Sequence, residues 1–128
     1  MAGPARAGLF LYAKDLQHLA GFYEAVLGMS RAYASGDLIV LNSPDVQLIV
    51  HAMSPAIAES VTITSPPKKR ENAAMKFFFT VPSLAAAESI ASTLGGTVFS
   101  EQWKGPGFLV RNACDPEGNV FQIRESAP

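Results

Sequence analysis

Cys114-Asp115-Pro116-Glu117-Gly118-Asn119-Val120-Phe121-Gln122 is the stretch whose reading decides the fold. Proline after aspartate pre-sets the φ of a type I turn, and Gly118 can take the positive φ that closes it. Apolar segments flank the turn, Phe108-Leu109-Val110 before it and Val120-Phe121-Gln122-Ile123-Arg124 after it, so the stretch reads as a β-hairpin. Working upstream, Lys76–Val81 reads as a strand, and Ser83 after Pro82 is a helix N-cap. Leu84, Ala87, Ile90, Ala91 and Leu94 then form one apolar stripe at helical spacing, stopped by Gly95-Gly96. Thr97–Glu101 is a further strand, and a loop around Trp103-Lys104-Gly105-Pro106-Gly107 leads into the hairpin. From Met75 to Arg124 the order is therefore strand, helix and three strands.

The first half repeats that order. Gly8–Ala13 is short, apolar and aromatic, hence a strand by length. Asp15 is an N-cap, and Leu16, Leu19, Ala20, Tyr23, Val26 and Leu27 make a stripe that ends at Gly28. His18, off that stripe, reads as an ordinary surface histidine. Arg31–Ser35, Leu38–Leu41 and Val46–Met53 follow as strands joined by turns. The separation of Leu9 from Phe77 nearly equals that of Leu27 from Leu94, which supports a duplicated unit. Between the halves, Ala56–Glu71 has linker composition with Pro66-Pro67 at its middle, and Val61–Thr64 is a possible short strand.

Bulk properties narrow the functional classes. A chain of 128 residues, 48% hydrophobic, is one globular domain able to bury roughly two-thirds of its unfolded surface. A net charge of −1 with no basic stripe gives no reason to expect nucleic acid, and Lys68-Lys69-Arg70, answered by Glu71, reads as a solvated loop. The single cysteine, Cys114, excludes an intrachain disulfide, fits a reducing compartment, and is expected to be inert. With no signal-peptide h-region and no apolar run near the roughly 18 residues of a membrane span, the expectation is a soluble, cytoplasmic protein.

Leu11–Met29, with Gly-Phe-Tyr-Glu-Ala-Val-Leu-Gly at its end, and Cys114–Gln122 together resemble the vicinal oxygen chelate superfamily: the glyoxalase, bleomycin-resistance and extradiol-dioxygenase relatives. The resemblance runs from about Gly8 to Arg124. It implies an α+β fold of two tandem βαβββ modules forming curved mixed sheets around a cavity. As one domain over 1–128, module one would occupy about 7–54, a linker about 55–74, and module two about 75–125. It further implies frequent dimers and often a divalent metal held by strand side chains.

The family's ligand positions fall here on Gly8, Ile49, Lys76 and Gln122, with His51 two residues beyond Ile49 on the same face. A catalytic metal wants about three histidine, carboxylate or thiolate ligands. Gly8 and Ile49 offer none, Lys76 is a cation, and Gln122 gives a weak neutral oxygen. No cofactor is therefore expected, a divalent metal being held open only if the strand alignment is shifted.

Strand alternation puts Gly8, Phe10 and Tyr12 on the cavity face with Gln47, Ile49 and His51. Lys76, Phe78 and Thr80 lie opposite, Val120, Gln122 and Arg124 close the set, and Trp103 is a lid or aromatic wall. Leu9, Leu11, Leu48, Val50, Phe77, Phe79, Phe121 and Ile123 would face the helices as core. Aromatic area mixed with a few polar groups is the composition of a small-molecule pocket. The leading expectation is a metal-free protein that binds or sequesters an aromatic or amphipathic ligand. The alternatives are a metal-dependent lyase, isomerase or dioxygenase using His51 and Gln122, and a metal-free acid/base enzyme using Lys76 and His51. A homodimer is expected, first-module strands of one chain meeting second-module strands of the other, with Pro66-Pro67 as a stiff extended connector.

Overall fold

Alternating apolar residues in the first strand set up everything that follows. In β1 (Gly8–Ala13), Leu9 and Leu11 turn toward α1 (Leu16–Leu27) while Phe10 and Tyr12 turn away. The computed structural model describes residues 4–128; residues 1–3 of the N-terminal tail lie outside the described residues. The Asp15 side chain accepts from the His18 N–H to start α1, and Gly28, at φ 66°, ends it. The chain continues through β2 (Ser30–Ala34), β3 (Leu38–Asn42) and β4 (Gln47–Ala52). Strand order is β1-β4-β3-β2, with β1 parallel to β4 and the rest antiparallel.

A short helix, α2 (Pro55–Ser60), leads into an irregular segment, and the second module follows. It comprises β5 (Phe78–Thr80), α3 (Leu84–Thr93), β6 (Thr97–Gly105), β7 (Phe108–Cys114) and β8 (Val120–Ser126). Its order, β5-β8-β7-β6 with β5 parallel to β8, repeats that of the first sheet. Two mixed four-stranded βαβββ units thus make up the α+β fold.

One core lies between the two sheets' helix-facing sides. Leu48, Val50, Phe121 and Ile123 are fully buried there, and Leu9, Leu11, Phe77 and Phe79 pack against them, as alternation requires. Phe22 and Tyr23 of α1 reach across to the second module. Phe22 meets Phe121 edge-on at 6.1 Å, Tyr23 meets it at 5.4 Å, and Phe77 stacks on Phe121 at 5.4 Å. Such pairs contribute about 0.5–1.5 kcal/mol each beyond area burial, so neither module buries its helix face without the other. Gly96 permits this: a Cβ there would lie 2.3 Å from the Phe22 ring.

The decisive turn is a knot between modules. Gly118 (φ 88°) donates its N–H to the Asp115 carbonyl at 3.0 Å, closing the turn. The Asp115 carboxylate, fully buried, accepts from the Glu117 N–H (2.8 Å), the Asn119 N–H (3.0 Å), the Asn119 amide (2.8 Å) and the Tyr23 hydroxyl (2.6 Å). Glu117, also buried, accepts from the N–H groups of Lys14 and Asp15, each at 2.8 Å. The second module's turn therefore anchors the entry to the first module's helix.

Three expectations change. Val61–Thr64 is not a strand, and Pro55–Ser60 is helical because Ser54 caps it and Pro55 occupies its first turn. The linker is not an extended connector. Lys14 Nζ bonds the Val61 carbonyl, Arg70 N–H donates to the Gly118 carbonyl at 2.8 Å, and Arg70 Nε donates to the Glu117 carbonyl at 3.2 Å. Lys68, Lys69 and Arg70 are exposed, as a solvated loop requires, and Arg70 also clips the linker to the turn. Trp103 sits within β6, paired to Val110, because β6 runs on to Gly105 and the turn falls later, at Pro106-Gly107. Among the described residues no helix is long and apolar enough to cross a membrane.

Candidate functional site

Each sheet leaves one face uncovered by helices, and register places the candidate residues on those faces. On the first sheet Gly8, Phe10 and Tyr12 pair with Gln47, Ile49 and His51, as strand alternation requires. Phe10, Tyr12 and His51 form an aromatic cluster with ring centroids 5.8–6.1 Å apart. Phe10 is 53% exposed and Tyr12 59% exposed, well beyond what a core residue shows. His51 Nδ1–H donates to the Ala52 carbonyl at 2.8 Å, which in the neutral ring makes Nε2 the acceptor. Gln47 is turned to Asn42, donating to its Oδ1 at 3.0 Å.

On the second sheet Phe78, Gln122 and Asn112 share one row, and Thr80, Arg124, Val110 and Trp103 the next. The Arg124 guanidinium lies 3.7 Å from the Phe78 ring centroid and 4.4 Å from that of Phe108. Lys76 is exposed, its Nζ donating to Asn112 Oδ1 at 3.3 Å. It is not desolvated among phenylalanines, the condition an acid/base role would need.

Between the two edge strands β1 and β5 opens a cavity of about 740 Å³. Gly8, Phe10, Lys76 and Phe78 border it, with Met75 and Val120. Both modules of one chain therefore face the same space. Tyr12, Gln47, His51, Trp103, Gln122 and Arg124 do not border it; they extend along the adjoining open faces. Sequence reasoning missed Asn112, since β7 was read only to Val110, and it read Phe108 as strand without assigning it to the open face. Continuing the alternation to Cys114 places both on the open face.

The family's metal ligands do not fit here. Among the described residues no three histidine, cysteine, aspartate or glutamate side chains are grouped to hold a metal. At Gly8 an added Cβ would lie 2.8 Å from the Gln47 carbonyl oxygen, so the backbone has closed over the first ligand position. Cys114 is buried, its Sγ–H donating to the Asp115 carbonyl at 3.4 Å, and burial pushes its thiol up to about 11. It is unsuited to nucleophilic work. His18 is exposed, but its Nε2–H donates to the Leu94 carbonyl at 2.7 Å, joining α1 to the end of α3.

Residues 8–124 match the family model described as a glyoxalase-like domain. Among solved structures, a glyoxalase/bleomycin resistance protein/dioxygenase family enzyme from Burkholderia phytofirmans PsJN superposes with TM-score 0.68 at 17% identity, covering 97% of this chain and 100% of that one. A lactoylglutathione lyase from Agrobacterium tumefaciens gives 0.59 at 22% identity, with 98% and 96% coverage. A bleomycin-binding protein complexed with bleomycin gives 0.60 at 15% identity, with 98% and 100% coverage. Comparison with functionally curated proteins gives no match.

Proposed function

As the chain belongs to the glyoxalase/bleomycin resistance/dioxygenase superfamily through its glyoxalase-like domain, we propose that it binds an aromatic or amphipathic small molecule without a resident metal. The observation that carries this reading is the Phe10–Tyr12–His51 cluster beside the cavity of about 740 Å³, with Phe10 and Tyr12 exposed and His51 half-buried. Ordering three rings on an uncovered sheet face gains nothing for the core. It offers instead the flat apolar area that an aromatic ligand buries. His51 Nε2 adds one acceptor within that area, giving the ligand's orientation a polar constraint. The bleomycin-binding structure shares this fold and holds an organic ligand, which supports sequestration as the mode.

Isothermal titration calorimetry with planar aromatic amphiphiles, on protein stripped of metal by chelator, tests the proposal. Saturable binding of one ligand per chain is expected, weakened at least about tenfold by Phe10→Ala, the equivalent of ~1.4 kcal/mol. Absence of saturable binding across the panel, or binding that appears only after metal is restored, overturns it.

A further inference from the structure

We propose that the open face of the second sheet is a subsite for an oxyanion carried by the ligand, with the Arg124 guanidinium as its anchor. This rests on the ligand-binding reading above and narrows it to aromatic molecules bearing a carboxylate, sulfonate or similar anionic head.

Two arginines on neighbouring strands make the contrast. Arg111, on the helix side of β7, is paired: Nε–H donates to the Phe99 carbonyl at 2.7 Å and a terminal N–H to Glu88 at 2.7 Å. Arg124, on the open side of β8, has its guanidinium clamped between Phe78 and Phe108. Among the described residues its side chain has no protein acceptor, and its Nε is buried without a partner. A guanidinium carries five N–H donors and stays charged at any working pH. An arginine kept only for solubility extends into water; this one is stacked and held in one plane by two rings. That is preorganisation for an oxyanion that accepts two parallel N–H bonds.

The surrounding charge agrees. Lys76, Lys69 and Arg70 line a depression beside this face; Lys76 donates to the neutral Asn112, and the one acid there, Glu71, is paired to Lys69 at 3.4 Å. Gln122, Asn112, Thr80, Val110, Phe108 and Ser126 complete the rows, with no carboxylate among them. The nearest acid along β8, Glu125, points to the opposite side and accepts the Leu84 N–H at 2.7 Å. The first sheet's open face presents Phe10, Tyr12 and His51 and no carboxylate. One face thus suits an aromatic body and the other its anionic head.

A pair of fluorescent probes with one skeleton separates the terms: anilinonaphthalene sulfonate, an anion, and N-phenyl-naphthylamine, neutral. Native protein is expected to bind the sulfonate about tenfold or more tightly than the amine, the scale of one charge-assisted hydrogen-bonded contact. Arg124→Gln should erase that gap while leaving the amine's affinity within about twofold. Equal affinities in the native protein overturn the subsite and leave the binding proposal standing. Binding of neither probe overturns both. Should Arg124→Gln not fold, the native ratio and its collapse on raising salt decide the matter alone. A change of oligomer mass in Arg124→Gln with the probe gap intact means a second copy covers this face, and overturns the subsite.

Discussion

Tyr23 in the first module's helix donates a 2.6 Å hydrogen bond to Asp115 in the second module's last turn, 92 positions away, and both side chains are fully buried. Burial, then the neighbouring Asp115 charge, raises the Tyr23 phenol well above its usual range, so the hydroxyl remains a donor at any working pH. Asp115 is raised by burial, against the lowering effect of its bonds from Tyr23 and Asn119. Tyr23→Phe preserves the ring contacts with Phe22 and Phe121 but removes one donor from a buried carboxylate. Urea denaturation should show a loss of about 1.5–3 kcal/mol, the range for a hydrogen bond to a charged group. A loss below about 0.5 kcal/mol would mean that the bond contributes nothing net.

Glu117 supplies the second clasp, taking the N–H groups of Lys14 and Asp15 on its two oxygens. Glu117→Gln keeps the size and places an amide NH2 against one of those N–H donors. Two donors would then face each other in a buried site. A loss of about 1–3 kcal/mol is expected in a thermal or urea melt, with secondary structure by circular dichroism unchanged before the transition. No change in midpoint would show that Glu117 is spectator to the inter-module contact.

These clasps explain what was legible in the sequence. Alternation in β1, β4 and β8 placed Phe10, Tyr12, Ile49, His51, Gln122 and Arg124 on open faces, because a strand's period of two admits one answer once its core face is known. The turn was legible from Asp115, Pro116 and Gly118. That Asp115 and Glu117 would reach α1 was not, since partners about a hundred positions apart leave no local pattern. Trp103 was misplaced because Gly105-Pro106-Gly107 announces a turn without saying how far the strand before it runs. The linker was misjudged for a related reason: proline pairs suggest an extended chain, but Arg70 bonds back to the Glu117–Gly118 turn.

Cys114 gives the pH-dependent prediction. Its thiol rises from 9.0 to about 11 through burial first and Asp115 second, with Lys69 opposing. Below pH 9 the thiol is protonated whether the chain is folded or not. Between 9 and about 11 the unfolded chain ionises and the folded one does not, so the folded state binds the extra proton. Stability from this group is therefore fully present below pH 9 and falls as pH climbs toward about 11. Labelling with a chromogenic disulfide reagent at pH 8 should be at least about a hundredfold slower in native protein than in urea. Rapid stoichiometric labelling of native protein at pH 8 would contradict the buried placement.

Metal loading addresses the substituted ligand positions. After dialysis against zinc, nickel, manganese or iron(II), elemental analysis should find well under one equivalent per chain. Gly8→His should not reverse this, because its Cβ, 2.8 Å from the Gln47 carbonyl oxygen, forces β1 away from β4 before the imidazole can serve. That variant should melt lower than the native chain. One tightly held equivalent in the native protein would mean that ligands come from elsewhere and would sink the metal-free reading.

Assembly is the remaining consequence of the uncovered faces. Phe10, Tyr12, Tyr33, Phe78 and Trp103 are each 42–59% exposed, and all lie on strands. Surfaces of this kind on one chain are commonly covered by a partner, most often in a two-fold dimer. The linker is clipped to its own chain, so exchange of modules is not required; two copies can meet through preformed sheet faces. A homodimer mass is expected by light scattering at micromolar concentration. Tyr33→Glu, at the first sheet's outer strand, should then shift the population toward monomer by placing a charge in a desolvated contact. A monomer mass for the native protein across that range would leave the aromatic faces to the ligand alone, and would rule the dimer out.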